Sequence, residues 1–283
     1  MTINCLGQLI DLSTPKVMGI LNVTPDSFYD GGKFATEKNI LSQVEKMLIE
    51  GADFIDIGGH SSRPKAEMIS EQEELERVIP IVQLIVKHFP GTLISVDTFR
   101  SEVARNSIEK GAAIINDISA GSLDVKMLET VAKYKVPYVM MHMRGTPQTM
   151  QGLTQYNNIL KEILCYFSEK IALARSFGIN DLIVDPGFGF AKTLHQNYEV
   201  LQKLELLSIL ELPLLMGVSR KSMIYNALES NQQDSLNGTT VVNTIALHKG
   251  ANILRVHDVK EAVECVKLYE LSIGDDKAHY LKL

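Results

Sequence analysis

The chain has 283 residues, of which 45% are apolar and 22% charged, and its net charge is -6. That is enough for two ordinary domains or one large α/β barrel. The acidic balance excludes a general nucleic-acid-binding surface, so an anionic ligand requires a local cluster of Arg and Lys.

No apolar run reaches the length of a membrane span, and the N-terminal residues lack the basic start and apolar core of a signal peptide. The expectation is a cytoplasmic protein with no membrane partner and no nucleic-acid partner. No low-complexity or Pro/Gly/Ser-rich linker divides the sequence, so a single domain over 1–283 is expected, with its core at about 15–272. Cys5, Cys165 and Cys265 are odd in number and widely spaced. They read as reduced structural thiols rather than a metal or redox site.

In chain order, residues 3–6 and 8–10 flank Gly7 as a short hairpin. Residues 17–21 form a strand that Asn22 ends, and Pro25, Asp26, Ser27, Asp30, Gly31 and Gly32 turn and expose the chain after it. Residues 36–50 carry Ile40, Leu41, Val44, Met47 and Leu48 at helical spacing. The same unit recurs, with strands at 54–57, 93–96, 113–115, 138–141, 182–184, 214–216 and 253–256. Helices are expected at 71–87, 102–109, 123–133, 156–177, 197–210, 239–249 and 259–271. Gly51, Gly111, Gly178 and Gly250 stand where a helix stops and a strand begins, the left-handed position that glycine fills best. Strands alternating with helices demand parallel pairing through crossovers. Eight units favour a closed (β/α)8 TIM barrel, with a doubly wound sheet as the alternative.

In such barrels the chemistry sits at the C-terminal strand ends. Those positions are Asn22, the segment 58–64, Asp97, Asn116, His142, Asp185, the segment 217–221, Arg255 and His257. Asp97, Asn116 and Asp185 suit the edge of a flat nitrogen heterocycle. The competing reading is that they cap the following helices, and Asp97 before Thr98 and Arg100 has that option. Asp185 precedes Pro186-Gly-Phe-Gly-Phe190, a stiff loop with two aromatics able to wall a planar ligand. Arg63, Arg220, Lys221, Arg255 and His257 form a cationic group, the last four of them at the ends of the last two strands, where barrels often bind phosphate. His142 reads either as a mouth residue or as a satisfied structural histidine. His88, His195 and His248 read as surface or packing residues, and the methionines around His142 as core and pocket wall. The pattern alone describes a barrel enzyme for a planar heterocycle and a phosphate or pyrophosphate.

The motifs Asn22-Val-Thr-Pro-Asp-Ser-Phe28, Asp56-Ile-Gly-Gly59, Ser95-Val-Asp-Thr98, Ile115-Asn-Asp117, Met141-His-Met143, Asp185-Pro-Gly-Phe-Gly-Phe190, Ser219-Arg-Lys-Ser222 and Arg255-Val-His-Asp258 resemble the dihydropteroate synthase family. The resemblance runs from Met18 to about Val266. It implies a (β/α)8 fold, usually a homodimer, and a transferase of folate biosynthesis. Such an enzyme joins 6-hydroxymethyl-7,8-dihydropterin pyrophosphate to 4-aminobenzoate with Mg2+. By motif, Asp97, Asn116, Asp185, Lys221, Met140, Gly217 and Phe190 would hold the pterin. Asn22, Ser62, Arg63, Arg255 and His257 would hold pyrophosphate, with Asn22 also on Mg2+. Phe28, Ser62, Pro64, Phe190, Lys221 and Ser222 would line the aminobenzoate site, and 22–35 would act as a lid. Lys221, Arg255, Asp97 and Asp185 would carry the catalysis.

The sequence departs from the family at His60, Lys65 and Tyr225, where Glu, Gly and Gly are common, and Ser62 replaces Thr. A pterin-binding methyltransferase module and a non-catalytic paralogue are the alternatives. The expected consequence of Lys221→Ala or Arg255→Ala is lost turnover in an intact fold.

Overall fold

A computed structural model of the chain describes residues 1–23, 32–60 and 68–273, with backbone only over 32–36. Two strands, β1 (Thr2–Cys5) and β2 (Gln8–Asp11), pair antiparallel with Cys5 opposite Gln8. Leu6 and Gly7 between them have φ of 52° and 88°, the two-residue turn whose twist matches its flanking strands.

The repeating units follow: β3 (Lys16–Asn22), α1 (Gly32–Ile49), β4 (Phe54–Gly58), α2 (Glu71–His88), β5 (Leu93–Asp97), α3 (Ser101–Glu109), β6 (Ile114–Asp117) and α4 (Met127–Tyr134). The chain continues with β7 (Tyr138–Met141), α5 (Ile159–Ser176), β8 (Leu182–Asp185), α6 (Leu194–Gln202), β9 (Leu215–Met216), α7 (Ser222–Ala227), α8 (Leu236–His248), β10 (Ile253–Val256) and α9 (Val259–Ser272).

The strands pair in parallel in the order β8-β7-β6-β5-β4-β3-β10-β9. β9 meets β8 again through a bridge between Val184 and Leu214 and a 2.9 Å hydrogen bond from Val184 N to Pro213 O. The sheet therefore returns on itself as the barrel that the sequence pattern predicts, and the doubly wound alternative falls away. Gly51, Gly111, Gly178 and Gly250 have φ of 100°, 107°, 85° and 94°, as their helix-ending role requires.

Element boundaries differ from expectation where side chains act on the backbone. Asn158 accepts from Lys161 N at 3.1 Å, so α5 begins at Ile159 rather than 156. Asp124 accepts from Ser101 N at 2.7 Å and Lys126 N at 2.9 Å, and α4 begins only at Met127. The expected helix over 197–210 is α6 followed by a 3-10 segment, Leu204–Leu210.

Strand alternation sorts the barrel into layers. Val17, Ile55, Ile57, Val96, Ile115, Tyr138, Val184 and Leu254 pack outward into the core shared with the helices. Met18, Phe54, Ile114, Val139, Ile183, Leu215 and Ile253 fill the interior together with Ile3, Cys5 and Leu12. The N-terminal hairpin is thus the floor of the barrel. Burying each such large apolar side chain contributes about 1.5–3 kcal/mol. One step toward the C-terminal ends, the inward positions turn polar: Asp56, Ser95, Asp97, Asn116 and Asp185, all buried. Among the described residues no helix is long and apolar enough to cross a membrane.

Candidate active site

Asp56 is the inward residue in the middle of β4 and is fully buried. A carboxylate there must be matched by donors. Ser95 Oγ donates to its Oδ1 at 2.5 Å, and Arg255 Nε to its Oδ2 at 2.7 Å. Asn116 Nδ2 donates weakly to the same Oδ2 at 3.4 Å. Arg255 reaches on to Asp97, donating from Nη2 to Oδ2 at 2.8 Å. One guanidinium therefore ties β10 to both β4 and β5. Burial works against its charge, but Asp56 and then Asp97 more than offset this and hold its pKa above the ordinary arginine range.

Asp97 Oδ1 is buried and has no hydrogen-bond partner among the described residues. Burial raises the Asp97 pKa, with Arg255 opposing. The capping role open to Asp97 on sequence is not taken: Ser101 N, at the start of α3, bonds to Asp124. Asn22 ends β3 beside Gly58. A carbon added at Gly58 would stand 3.8 Å from both Asn22 Oδ1 and Asp97 Cβ, so these two side chains share a corner of the mouth.

Across the mouth, Asp185 Oδ1 accepts from Gly187 N at 2.7 Å. Burial raises its pKa, and Lys221 is the leading opposing influence. A carbon at Gly217 would lie 3.5 Å from Asp185 Oδ2 and 3.7 Å from Lys221 Nζ, so glycine leaves room for this pair. Lys221 Nζ donates to Phe188 O at 2.7 Å and sits 4.9 Å from the centre of the Phe190 ring. Burial brings its pKa down to about 8, with Asp185 opposing. Ser222 opens α7 and is exposed. Ser219 Oγ and His257 Nδ1 lie 3.0 Å apart, and His257 N donates to the same oxygen at 3.1 Å. The structure thus brings Asn22, Asp97, Asn116, Asp185, Gly217, Lys221, Arg255 and His257 to one rim.

Three expectations are corrected. Met140 is not a mouth residue: it shares the outward parity of Tyr138 and packs in the core under the helices. Its neighbour Met141 points inward, beside Phe190, Phe99, Ile118 and Met143. Arg220 is not part of the cationic rim. Its Nε and Nη2 donate to Asp258 at 2.8 Å each, and Nη1 to the carbonyls of Gln232 and Gln233, so it ties the loop after β9 to the start of α9. Of the two aromatics after Asp185, only Phe190 reaches the mouth, because Phe188 is fully buried in the outer core.

Phe28, Ser62, Arg63, Pro64 and residues 24–31 of the expected lid lie outside the described residues. His60, the departure from the family pattern, is buried with Nδ1 3.5 Å from Glu74 Oε1 and its ring edge-on to Phe99 at 5.2 Å. Glu74 is also paired with Arg100. His142 is the structural histidine of the two readings: it is buried, edge-on to Tyr166 at 4.9 Å, and bonded to Lys192.

Sequence reasoning gave no role to Asp56, which entered only within a family motif, and passed over Lys192. The signal for Asp56 was present, since an acid in the middle of Phe-Ile-Asp-Ile-Gly has the inward parity of Phe54. Nothing in the spacing marks Lys192.

A buried cradle of acid and amide groups beside a lysine, an arginine and a histidine, all at the C-terminal mouth of a (β/α)8 barrel, defines a barrel enzyme for a flat, hydrogen-bonding ring with an anionic substituent. Comparison with known proteins narrows the class. The family model described as "Pterin binding enzyme" matches residues 18–257. Dihydropteroate synthase of Escherichia coli K12 is 45% identical over 270 residues, covering 95% of each chain. Yersinia pestis dihydropteroate synthase, solved with a sulfonamide drug complex, superposes with TM-score 0.90 at 44% identity, covering 96% of this chain and 99% of that one. Xanthomonas albilineans dihydropteroate synthase, solved with 4-aminobenzoic acid, gives TM-score 0.90 at 36% identity and covers 96% of this chain and 98% of its own. The chain belongs to the dihydropteroate synthase family of pterin-binding enzymes.

Proposed function

We propose that this protein joins 6-hydroxymethyl-7,8-dihydropterin pyrophosphate to 4-aminobenzoate, forming 7,8-dihydropteroate and releasing pyrophosphate. The observation that carries this reading is the unpartnered Asp97 Oδ1, buried in the mouth within reach of Arg255 and beside Asn22. A buried acceptor of this kind calls for a donor from a ligand, and a pterin edge supplies ring and exocyclic N–H groups.

In the reaction the arylamine nitrogen forms a bond to the pterin methylene carbon as the carbon–oxygen bond to pyrophosphate breaks. The amine is neutral near pH 7 and needs no strong base. Its proton passes to water or to the departing pyrophosphate as the new bond forms. The barrier lies in separating charge. Asp97 and Asp185 favour positive character on the ring, while Arg255, His257 and Lys221 favour negative charge on the departing side, fixed charges of the kind that usually carry most of the rate gain. Lys221 also packs over Phe190, which supports a shared wall for the ring and the arylamine.

Magnesium fits the donor set as a substrate-borne ion. Among the described residues no cluster of three acidic, His or Cys side chains is present to cage a metal. Mg2+ commonly keeps waters and binds through one or two protein oxygens plus substrate phosphates, and the Asn22 amide oxygen is such a donor. When bound, the ion would neutralise charge on the leaving pyrophosphate.

A homodimer is part of the same reading. It is supported by the exposed apolar residues Val241 and Ile245 of α8 and Leu268 and Leu271 of α9, of which Leu268 lines a cleft of about 530 Å3 between these helices. A reducing, cytoplasmic setting is supported by three free cysteines. The test is pyrophosphate release by the purified protein with both substrates and Mg2+. Release that depends on both substrates is expected, and pterin binding without release would mark a non-catalytic relative.

A further inference from the structure

Lys192 lies just beyond the loop that follows β8, and it is buried, at 8% exposure. Its ammonium donates to Gly187 O at 2.9 Å and to Phe190 O at 3.1 Å, and stands 3.0 Å from His142 Nδ1. In the charged form three protons thus meet three acceptors, as a buried ammonium requires; burial brings the pKa of Lys192 down to about 7, with Asp185 opposing. His142 is able to accept because its ring is neutral: burial, and then the charge of Lys192, bring its pKa down to about 2.

The acceptors are placed at both ends of the segment 187–190. Gly187 is already constrained, with φ of 69° and no room for a side chain, since a carbon there would stand 2.0 Å from His142 O. The interior of the segment presents the two groups that hold Lys221, the Phe188 carbonyl and the Phe190 ring. On the pterin side Asp185 also touches this loop, accepting from Gly187 N at 2.7 Å, whereas Asp97 and Asn116 stand on β5 and β6, outside it.

We propose that Lys192 is a positioning residue for the arylamine half of the reaction: it clamps residues 187–190 so that Phe188 O and the Phe190 ring fix Lys221 where 4-aminobenzoate binds. This rests on the reaction assigned above.

The test compares the full-length protein with Lys192→Met, which keeps a stem of four atoms and removes every donor. Pyrophosphate release is measured with each substrate varied, and pterin pyrophosphate affinity is measured separately by titration without 4-aminobenzoate. The expected result is a kcat/KM for 4-aminobenzoate lowered roughly tenfold or more, because displacement of a positioned group by an ångström costs on the order of a hundredfold in rate, with pterin affinity lowered by a smaller factor, since Asp97 and Asn116 lie outside the loop. Lys192→Gln keeps two donors and should show the same split at roughly threefold; it carries the test if Lys192→Met is not recovered folded. An unchanged kcat/KM with a lowered melting temperature, or equal losses toward both substrates, overturns the proposal. A wild-type protein silent in the same assay overturns the reaction assignment itself.

Discussion

Arg255→Ala is expected to cost stability as well as turnover, which the sequence alone did not foresee. The side chain is 18% exposed, Asp56 is 0% exposed and Asp97 is 9% exposed. Deleting the guanidinium strands two neighbouring carboxylates inside the barrel. Breaking a buried ion pair by removing one partner costs about 3–5 kcal/mol. The mouth admits some water, which argues for the low end, about 3 kcal/mol. For a chain of 283 residues that lowers the melting temperature by roughly 5 °C.

The sign with pH follows from the charges. Burial already holds the folded-state pKa of Asp97 above its ordinary value against the opposing charge of Arg255; removing the guanidinium raises it further, so the folded state binds more protons. The deficit is then smallest at acid pH and grows as pH rises through the raised value. Thermal unfolding of parent and variant from pH 5 to 8, with pyrophosphate release at neutral pH, measures both effects. Arg255→Ala combined with Asp56→Asn should recover about half of the lost stability, by removing one of two uncompensated charges, and none of the turnover. A variant that melts within about 1 °C of the parent at pH 8 would refute the clamp, since the expected shift is several times larger.

The remaining expectations concern single features. Lys221 has a pKa of about 8, so if its charge is needed, kcat/KM should fall as pH rises through that value; Lys221→Arg should move the alkaline limb upward, and a limb that does not move removes Lys221 from the site. Ile3→Ala opens a cavity in the barrel floor and should cost about 2–5 kcal/mol with KM values unchanged, as read by denaturant unfolding beside kinetics. Chelation of Mg2+ should abolish pyrophosphate release, reversibly, without lowering the melting temperature of the free protein, because no described residue cluster depends on a metal for its folding.

Much of the barrel was legible because its determinants are local. Apolar runs of strand length, helical spacing such as Ile40, Val44 and Met47, and glycines at φ near 100° act over a few residues and leave their mark in composition. The strand-end acids and cations were legible for the same reason, since position after an apolar run is a one-dimensional property. Asp97, Asn116, Asp185, Lys221 and Arg255 could be named, but their partners could not. Hydrogen bonds such as Arg255 to Asp56 join residues 199 positions apart, and no local spacing encodes them. Parity explains Met140 and Met141: two adjacent methionines look alike in sequence, and only the strand register sends one outward and the other into the mouth.

The sequence by itself determined the order of elements, the count of eight units and the kinds of groups at the rim, because each follows from short-range propensity and burial. Only the tertiary structure decided which of those groups face a ligand and which serve the protein. Arg220 turned to Asp258, Phe188 to the core and Lys192 to the loop after β8, because a buried charge or ring takes the partner nearest in space, and that distance is set by how distant strands close into one barrel.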